Sequence, residues 1–318
     1  MNITVLGAGS FGAALAGVLL ESKQKPNLTL WARRQETLDN LPCRIGQKVS
    51  CAINLEEGLK KADGLIYALP AQAAGVFFEK NGALLKKVPH ILIAAKGVDK
   101  ETALFPFEAA KKAFPEANVT NFSGPHLAPE LLEGSPTLAL LAGTEAGTAF
   151  WSGLFSGTPL VTSCVEDPIT AATFGAFKNI FAILSGALMA QNAPENTRNA
   201  ILALAFNETC LIAKYLGGAP IDAVPPALVA DFFLTTNAKE SRNTKAGVAL
   251  IKKPGAPLPF LAEGVDAAIG ASVRLGNAAG QFPLFKCVRK FIQEGRAPYA
   301  LQLLENYDAA KNKQVPKR

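Results

Sequence analysis

Apolar residues recur along the first half of the chain in two alternating patterns. Short runs rich in Val, Ile, Leu and Thr stand at Asn2–Leu6, Leu28–Trp31, Gly64–Leu69, His90–Ala95, Asn118–Phe122, Thr137–Ala142 and Pro159–Ser163. Between several of them apolar positions repeat every three or four residues, as in Phe11–Leu20 and Leu55–Ala62. The first pattern predicts strands and the second amphipathic helices. Their alternation predicts a mainly parallel, doubly wound sheet. Beyond Asp167 the character changes: no further run reads as a strand, and long helical stretches follow at Pro168–Gln191, Asn196–Leu216, Phe260–Asn277 and Phe282–Gln293. Asp167-Pro168 marks the first of these, because a carboxylate accepts the free N–H groups of a helix start and proline at the first turn has none to satisfy. A chain of 318 residues exceeds one ordinary core. We therefore expect an α/β domain over residues 1–167 and an all-helical domain over 168–318.

Composition agrees with a packed protein: hydrophobic residues make up 49% and charged residues 18%, which excludes a disordered or fibrous chain. The most apolar long stretch, Pro168–Asn192, is interrupted by Lys178, Asn179 and Ser185 and reads as a buried helix, so no membrane insertion is expected. The N-terminus enters a strand at Asn2 with neither a basic nor a long apolar lead, which argues against a signal peptide. Cys43, Cys51, Cys164, Cys210 and Cys287 are scattered with no C-x-x-C pair, as expected of reduced thiols in a cytoplasmic protein. With only His90 and His126 besides, no metal site is expected. The net charge of +6 suits an anionic substrate or cofactor. Its main cluster, Lys311, Lys313, Lys317 and Arg318, reads as a solvated end and not as a nucleic-acid arm.

Gly7-Ala8-Gly9-Ser10-Phe11-Gly12 follows a strand and opens a helix. In this G-x-G-x-x-G context the first glycine permits the tight turn, the second lets backbone approach a pyrophosphate, and the third lets helix pack on strand. The helix start then offers free N–H groups to the anion. The next strand ends in Leu30-Trp31-Ala32-Arg33-Arg34. An NAD-preferring site usually carries an acidic residue here; guanidinium groups match a 2′-phosphate instead. NADP or NAD is the expected cofactor, with NADPH in the reductive direction.

Lys178 is the only charged residue between Asp167 and Glu195, and Phe174 and Phe181 lie one helical turn to either side of it. Such a lysine is either snorkelling to solvent or held in a cleft, where desolvation lowers its pKa toward the range that acid/base chemistry needs. Lys96 ends the run Ile91–Ala95, and ligands of open α/β sheets bind outside the carboxyl ends of the strands. The loop Ser123-Gly124-Pro125-His126 ends the next strand. Farther on, Asp231 and then Ser241-Arg242-Asn243 stand in a polar stretch that could surround a phosphate or simply be a solvated loop.

In this order these residues resemble the NAD(P)-dependent glycerol-3-phosphate dehydrogenases. The landmarks are Gly7–Gly12, Leu30–Arg33, Ala95-Lys96-Gly97, Ser123-Gly124-Pro125, Pro136-Thr137, Gly175–Asn179, Asp231, Ser241–Asn243 and Glu263-Gly264-Val265. The resemblance implies that Lys178 is the proton acceptor in alcohol oxidation, that Asp231, Lys96 and Gly124 contact a triose, and that Ser241, Arg242 and Asn243 hold its phosphate. It places Ser10, Phe11, Arg33, Ala128 and Glu263 along the cofactor, with Arg242 near it. It also implies a homodimer and a supply of glycerol 3-phosphate for phospholipids. The sequence departs from the pattern at Phe11, where Trp or Tyr is usual, and at His126, where Ser or Thr is usual in a loop expected to touch substrate. Around Asp231 it reads Leu228-Val229-Ala230-Asp231-Phe232 for Gly-Leu-Gly-Asp-Leu, and Ala203-Leu204-Ala205 replaces Thr-Arg-Gly. The rival readings are a related hydroxyacid dehydrogenase, whose carboxylate substrate could also use Arg242 and Asn243, and a non-catalytic dinucleotide sensor.

Overall fold

The computed structural model describes residues 1–219, 224–305 and 307; the basic cluster Lys311–Arg318 lies outside the described residues. The chain forms two compact units. The first, Met1–Lys96 with Pro106–Ala171, is built on eight strands: β1 (Asn2–Leu6), β2 (Asn27–Trp31), β3 (Ser50–Ala52), β4 (Gly64–Tyr67), β5 (His90–Ile93), β6 (Asn118–Ser123), β7 (Thr137–Ala142) and β8 (Leu160–Val165). They pair in the order β3-β2-β1-β4-β5-β6-β7-β8. Every neighbouring pair is parallel except β6–β7, which is antiparallel.

The chain winds outward from β1 through β2 to β3, returns to β4 on the other side of β1, and winds outward again. That reversal is a topological switch point, where a crevice opens beyond the carboxyl ends of the strands. The register sets Leu6 beside both Trp31 and Tyr67, so the segments leaving β1, β2 and β4 emerge side by side. Ile3, Val5, Leu30, Ile66, Leu92, Phe122, Leu141 and Trp151 are fully buried in this unit, as expected of parallel strands covered on both faces. The sequence pattern anticipates every strand except β3, whose three residues carry no apolar run and lie exposed or half-buried.

The second unit combines Ala172–Arg318 with Gly97–Phe105, and among its described residues the regular elements are helical. Its main helices are α3 (Pro168–Ala190, beginning in the first unit), α4 (Glu195–Tyr215), α5 (Pro226–Asn237), α6 (Arg242–Lys252), α7 (Glu263–Leu275) and α8 (Pro283–Glu294), following α1 (Ser10–Leu19) and α2 (Ala128–Leu132) of the first. The Thr170 amide donates to Asp167 Oδ1 at 3.0 Å, the N-cap that Asp167-Pro168 predicts. Helix α3 is long and apolar enough to cross a membrane, yet 94% of its most apolar window is buried inside the protein. It is a core helix.

A single cut at Asp167 does not describe the two units, because Gly97–Phe105 belongs with the helices. A stripe on α7 holds this strap. A Cβ on Gly270 would lie 2.6 Å from Asp99 O, Arg274 Nη1 donates to Ala103 O at 3.0 Å with its guanidinium 4.3 Å over the Phe105 ring, and Lys100 pairs with Asp266 at 3.2 Å. Asp266, Gly270 and Arg274 are four residues apart, so they share one helix face.

Candidate functional site

Each glycine of the first loop has its own steric reason. Gly7 has φ +106°, and a Cβ there would lie 2.8 Å from Ala68 O, so the turn leaving β1 passes directly against the end of β4. A Cβ on Gly12 would fall on Gly7 O, which seats α1 against the loop. Gly9 meets nothing within 4 Å. Its missing side chain therefore serves open space, as the approach of a ligand to the backbone requires. The first helical bond of α1 runs from Ala13 N to Gly9 O at 2.9 Å, which leaves the N–H groups of Ser10, Phe11 and Gly12 without an intrahelical acceptor. No side chain caps them and no acidic residue sits in the first turn. Arg33 and Arg34 lie exposed just beyond β2, and Ala128 begins α2, which packs on α1. A pyrophosphate and an adenosine phosphate fit these groups.

Beyond β5, Lys96 is half-buried and its Nζ donates to Gly124 O at 3.1 Å. Gly124 has φ +144°, and a Cβ there would lie 2.5 Å from Leu138 O and 2.8 Å from His126 Cε1 and Nε2. The His126 ring is thus turned against the loop that carries it. Its Nε2 lies 2.9 Å from Leu138 O, so Nε2–H donates there, and the ring stacks with Phe122 (4.6 Å between centroids) and Phe11 (6.2 Å). This nitrogen is committed to the backbone of β7.

In the second unit, Lys178 Nζ donates to Asp231 Oδ1 at 2.5 Å, with the two side chains 9% and 3% exposed. Of the two uses open to Lys178, the fold takes burial. The ion pair is charge-assisted, which offsets part of the cost of desolvating both groups. Aromatic packing fixes its register. Phe174 and Phe181, the predicted flanks of Lys178 on α3, both pack on Phe232, the neighbour of Asp231 on α5.

Ser241-Arg242-Asn243 is not a loop but the start of α6, with Ser241 as N-cap. Lys245 N makes the first helical bond, to Ser241 O at 2.9 Å, so the N–H groups of Arg242, Asn243 and Thr244 have no intrahelical acceptor and no acidic residue stands in this turn. The Asn243 amide donates to Asn179 Oδ1 at 3.0 Å and accepts from Gly264 N at 2.9 Å. It clamps the start of α6 between the residue after Lys178 and the start of α7, and one amide hydrogen with the backbone N–H remains for a ligand. Arg242 lies at the rim, 63% exposed and 3.9 Å from Glu263. Three glycines bring these starts to Lys178. A Cβ on Gly247 would strike Ile183 O, one on Gly186 would strike Thr244 O, and one on Gly264 would strike Asn179 O. Of these, sequence reasoning singled out only Gly264; glycine inside a helical pattern was the available signal for Gly186. Also unforeseen is Glu208 on α4, 1% exposed, whose carboxylate accepts from Leu284 N (3.0 Å) and Phe285 N (2.6 Å) at the start of α8. Burial pushes its pKa up to about 7, against the opposing effect of those two N–H groups.

Comparison with known proteins decides the family. The profile for the NAD-dependent glycerol-3-phosphate dehydrogenase N-terminus matches residues 2–149, and that for the C-terminus matches residues 167–302. The chain belongs to this family. It is 30% identical to glycerol-3-phosphate dehydrogenase (NAD(P)+) of Paracoccus denitrificans over 96% of this chain and 98% of that protein. It is 32% identical to the enzyme of that name from Rickettsia bellii over 77% of this chain and 82% of the relative. The fold is that of the Coxiella burnetii glycerol-3-phosphate dehydrogenase structure, with a TM-score of 0.84 at 22% identity, covering 96% of this chain and 99% of that one. Family membership agrees with an oxidoreductase using NAD or NADP, and it favours the dehydrogenase reading over the sensor.

Proposed function

We propose that this protein reduces dihydroxyacetone phosphate to sn-glycerol 3-phosphate, with Lys178 as general acid and, in the reverse direction, general base. The observation that carries the reading is the buried Lys178–Asp231 pair beside a basic helix start whose N–H groups take no side-chain cap. A reduced nicotinamide, when bound, supplies a hydride to the substrate's C2. Lys178 as the ammonium hydrogen-bonds the carbonyl oxygen at C2, polarises it and gives up its proton as the alkoxide forms. Asp231 orients that ammonium. Lys96, held by Gly124 O, adds positive charge as the alkoxide develops. The N–H groups at the start of α6, with Ser241, Arg242 and Asn243, take the phosphate, so that binding energy from a non-reacting group positions C2. Gly7–Gly12 and the N–H groups of α1 take the cofactor pyrophosphate; Phe11, Ala128 and Glu263 line the cofactor, and Arg33 and Arg34 favour NADP.

On this reading residues 1–167, apart from the strap Gly97–Phe105, are the dinucleotide-binding domain, and 168–318 with that strap are the substrate and catalytic domain. The protein acts in the cytoplasm as a homodimer and supplies glycerol 3-phosphate for phospholipid synthesis. The test is oxidation of NADPH and NADH, followed at 340 nm, with dihydroxyacetone phosphate and with dihydroxyacetone. Turnover that depends on the phosphate is expected. NADPH binding without turnover on either compound would refute the assignment and turn attention to hydroxy acids.

A further inference from the structure

We propose that His126 is a positioning residue that braces two parts of the first unit at once: Phe11 at the start of α1, and the Gly124 carbonyl that receives Lys96. The proposal rests on the reading of the Gly7–Gly12 loop as a dinucleotide site and of Lys96 as a substrate-side cation. Two sets of contacts carry it. The ring stacks with Phe122, a fully buried residue of β6, at 4.6 Å and 14°, and with Phe11 at 6.2 Å and 26°. Phe11 is the second residue of α1, so its backbone N–H is one of the three left for an anion. The same ring lies against the α-carbon of Gly124, where a Cβ would come within 2.8 Å of it. Its Nε2–H donates to Leu138 O at 2.9 Å, and Thr137 Oγ1 donates to Pro125 O at 3.1 Å. These two bonds tie the loop onto β7 from adjacent residues, and between them they set where Gly124 O stands. Lys96 Nζ is 3.1 Å from that oxygen.

A serine or threonine at position 126 is too short to reach both Phe11 and Leu138 O. The imidazole does both because its faces stack while its edge donates. The two contacts are therefore separable. The stacking face serves the cofactor loop, and the donor edge serves Lys96.

The test uses His126→Ser, His126→Phe and His126→Gln in the full chain, with three readouts: NADPH affinity by fluorescence titration, kcat and KM for dihydroxyacetone phosphate, and the thermal midpoint. Removing a stack and a hydrogen bond, each of about 1 kcal/mol, should weaken NADPH binding roughly five- to tenfold in the serine variant and lower its kcat by a similar factor. His126→Phe keeps the stacking face and should restore NADPH affinity but not kcat. His126→Gln keeps a donor and should restore kcat more than NADPH affinity. A serine variant with unchanged NADPH affinity and kcat, altered only in its thermal midpoint, would overturn the proposal. So would phenylalanine and glutamine variants that change both parameters in parallel. If His126→Ser does not fold, those two variants still decide. Should the wild type bind NADPH yet leave dihydroxyacetone phosphate untouched, the proposed activity falls, while the NADPH titrations of the three variants still test the brace on Phe11.

Discussion

Glu208 makes a stability prediction with an unusual sign. Its carboxylate is fully enclosed and takes the two N–H groups that begin α8, whose Phe285 packs on Phe177, the neighbour of Lys178. Burial raises its pKa from 4.5 to about 7. A raised folded-state pKa means that the folded protein binds the proton more tightly than the unfolded chain. The associated stability is complete below about pH 4.5 and is lost as the pH rises to about 7. The size of the shift corresponds to about 3 kcal/mol across that window. Cys287 does not titrate there, since burial and then Glu208 push its thiol up to about 11. The assay is urea unfolding of wild type and Glu208→Gln from pH 4.5 to 8, read as the difference between the two at each pH. Glutamine offers the same shape without a titration. The wild type should lose about 3 kcal/mol relative to the variant between the ends of the range, most of it below pH 7. Parallel curves, or a wild type that gains on the variant as pH rises, would refute the reasoning.

Gly9→Val should weaken NADPH binding while leaving the thermal midpoint nearly unchanged, because its side chain enters open space; Gly12→Val should lower the midpoint sharply, because its Cβ falls on backbone. Fluorescence titration and thermal melts distinguish the two. Arg33→Ala should shift the ratio of kcat/KM for NADPH over NADH downward roughly tenfold, as expected for a lost charged hydrogen bond of about 1.5 kcal/mol. Gly264→Ala should push α7 off Asn179 O and break the Gly264 N–Asn243 bond. A displacement of that kind beside Lys178 is expected to cost on the order of 10²-fold in kcat/KM for dihydroxyacetone phosphate, measured by steady-state kinetics.

Much of this architecture is legible in the chain because it rests on local pattern. The strands of the first unit are apolar runs between helical repeats, and Asp167-Pro168 announces α3 by the chemistry of a helix start. The strand Ser50–Ala52 is not legible, since three partly exposed residues carry no pattern and pair only because β2 is beside them. The helices Pro226–Asn237 and Arg242–Lys252 escape for a related reason: the second opens on polar residues that suit a loop equally well. Tertiary pairing is harder still. Lys178 and Asp231 are 53 residues apart, and nothing local says that one carboxylate meets one ammonium. His126 looks like a ligand contact in a loop, and only the positions of Leu138 O, Phe122 and Gly124 show where its ring is turned. The strap Gly97–Phe105 leaves its neighbours in sequence to join α7, which no linear reading of domain boundaries anticipates.

The most direct test of the central claim is the turnover of dihydroxyacetone phosphate by Lys178→Ala, with NADPH affinity and thermal midpoint recorded on the same preparation. Losing the general acid should reduce kcat by roughly 10²- to 10⁴-fold with NADPH affinity retained, and added ethylamine should restore part of the rate. The buried Asp231 left without its partner should also lower stability by about 3–5 kcal/mol. A folded Lys178→Ala protein that reduces dihydroxyacetone phosphate at close to the wild-type rate would contradict the account.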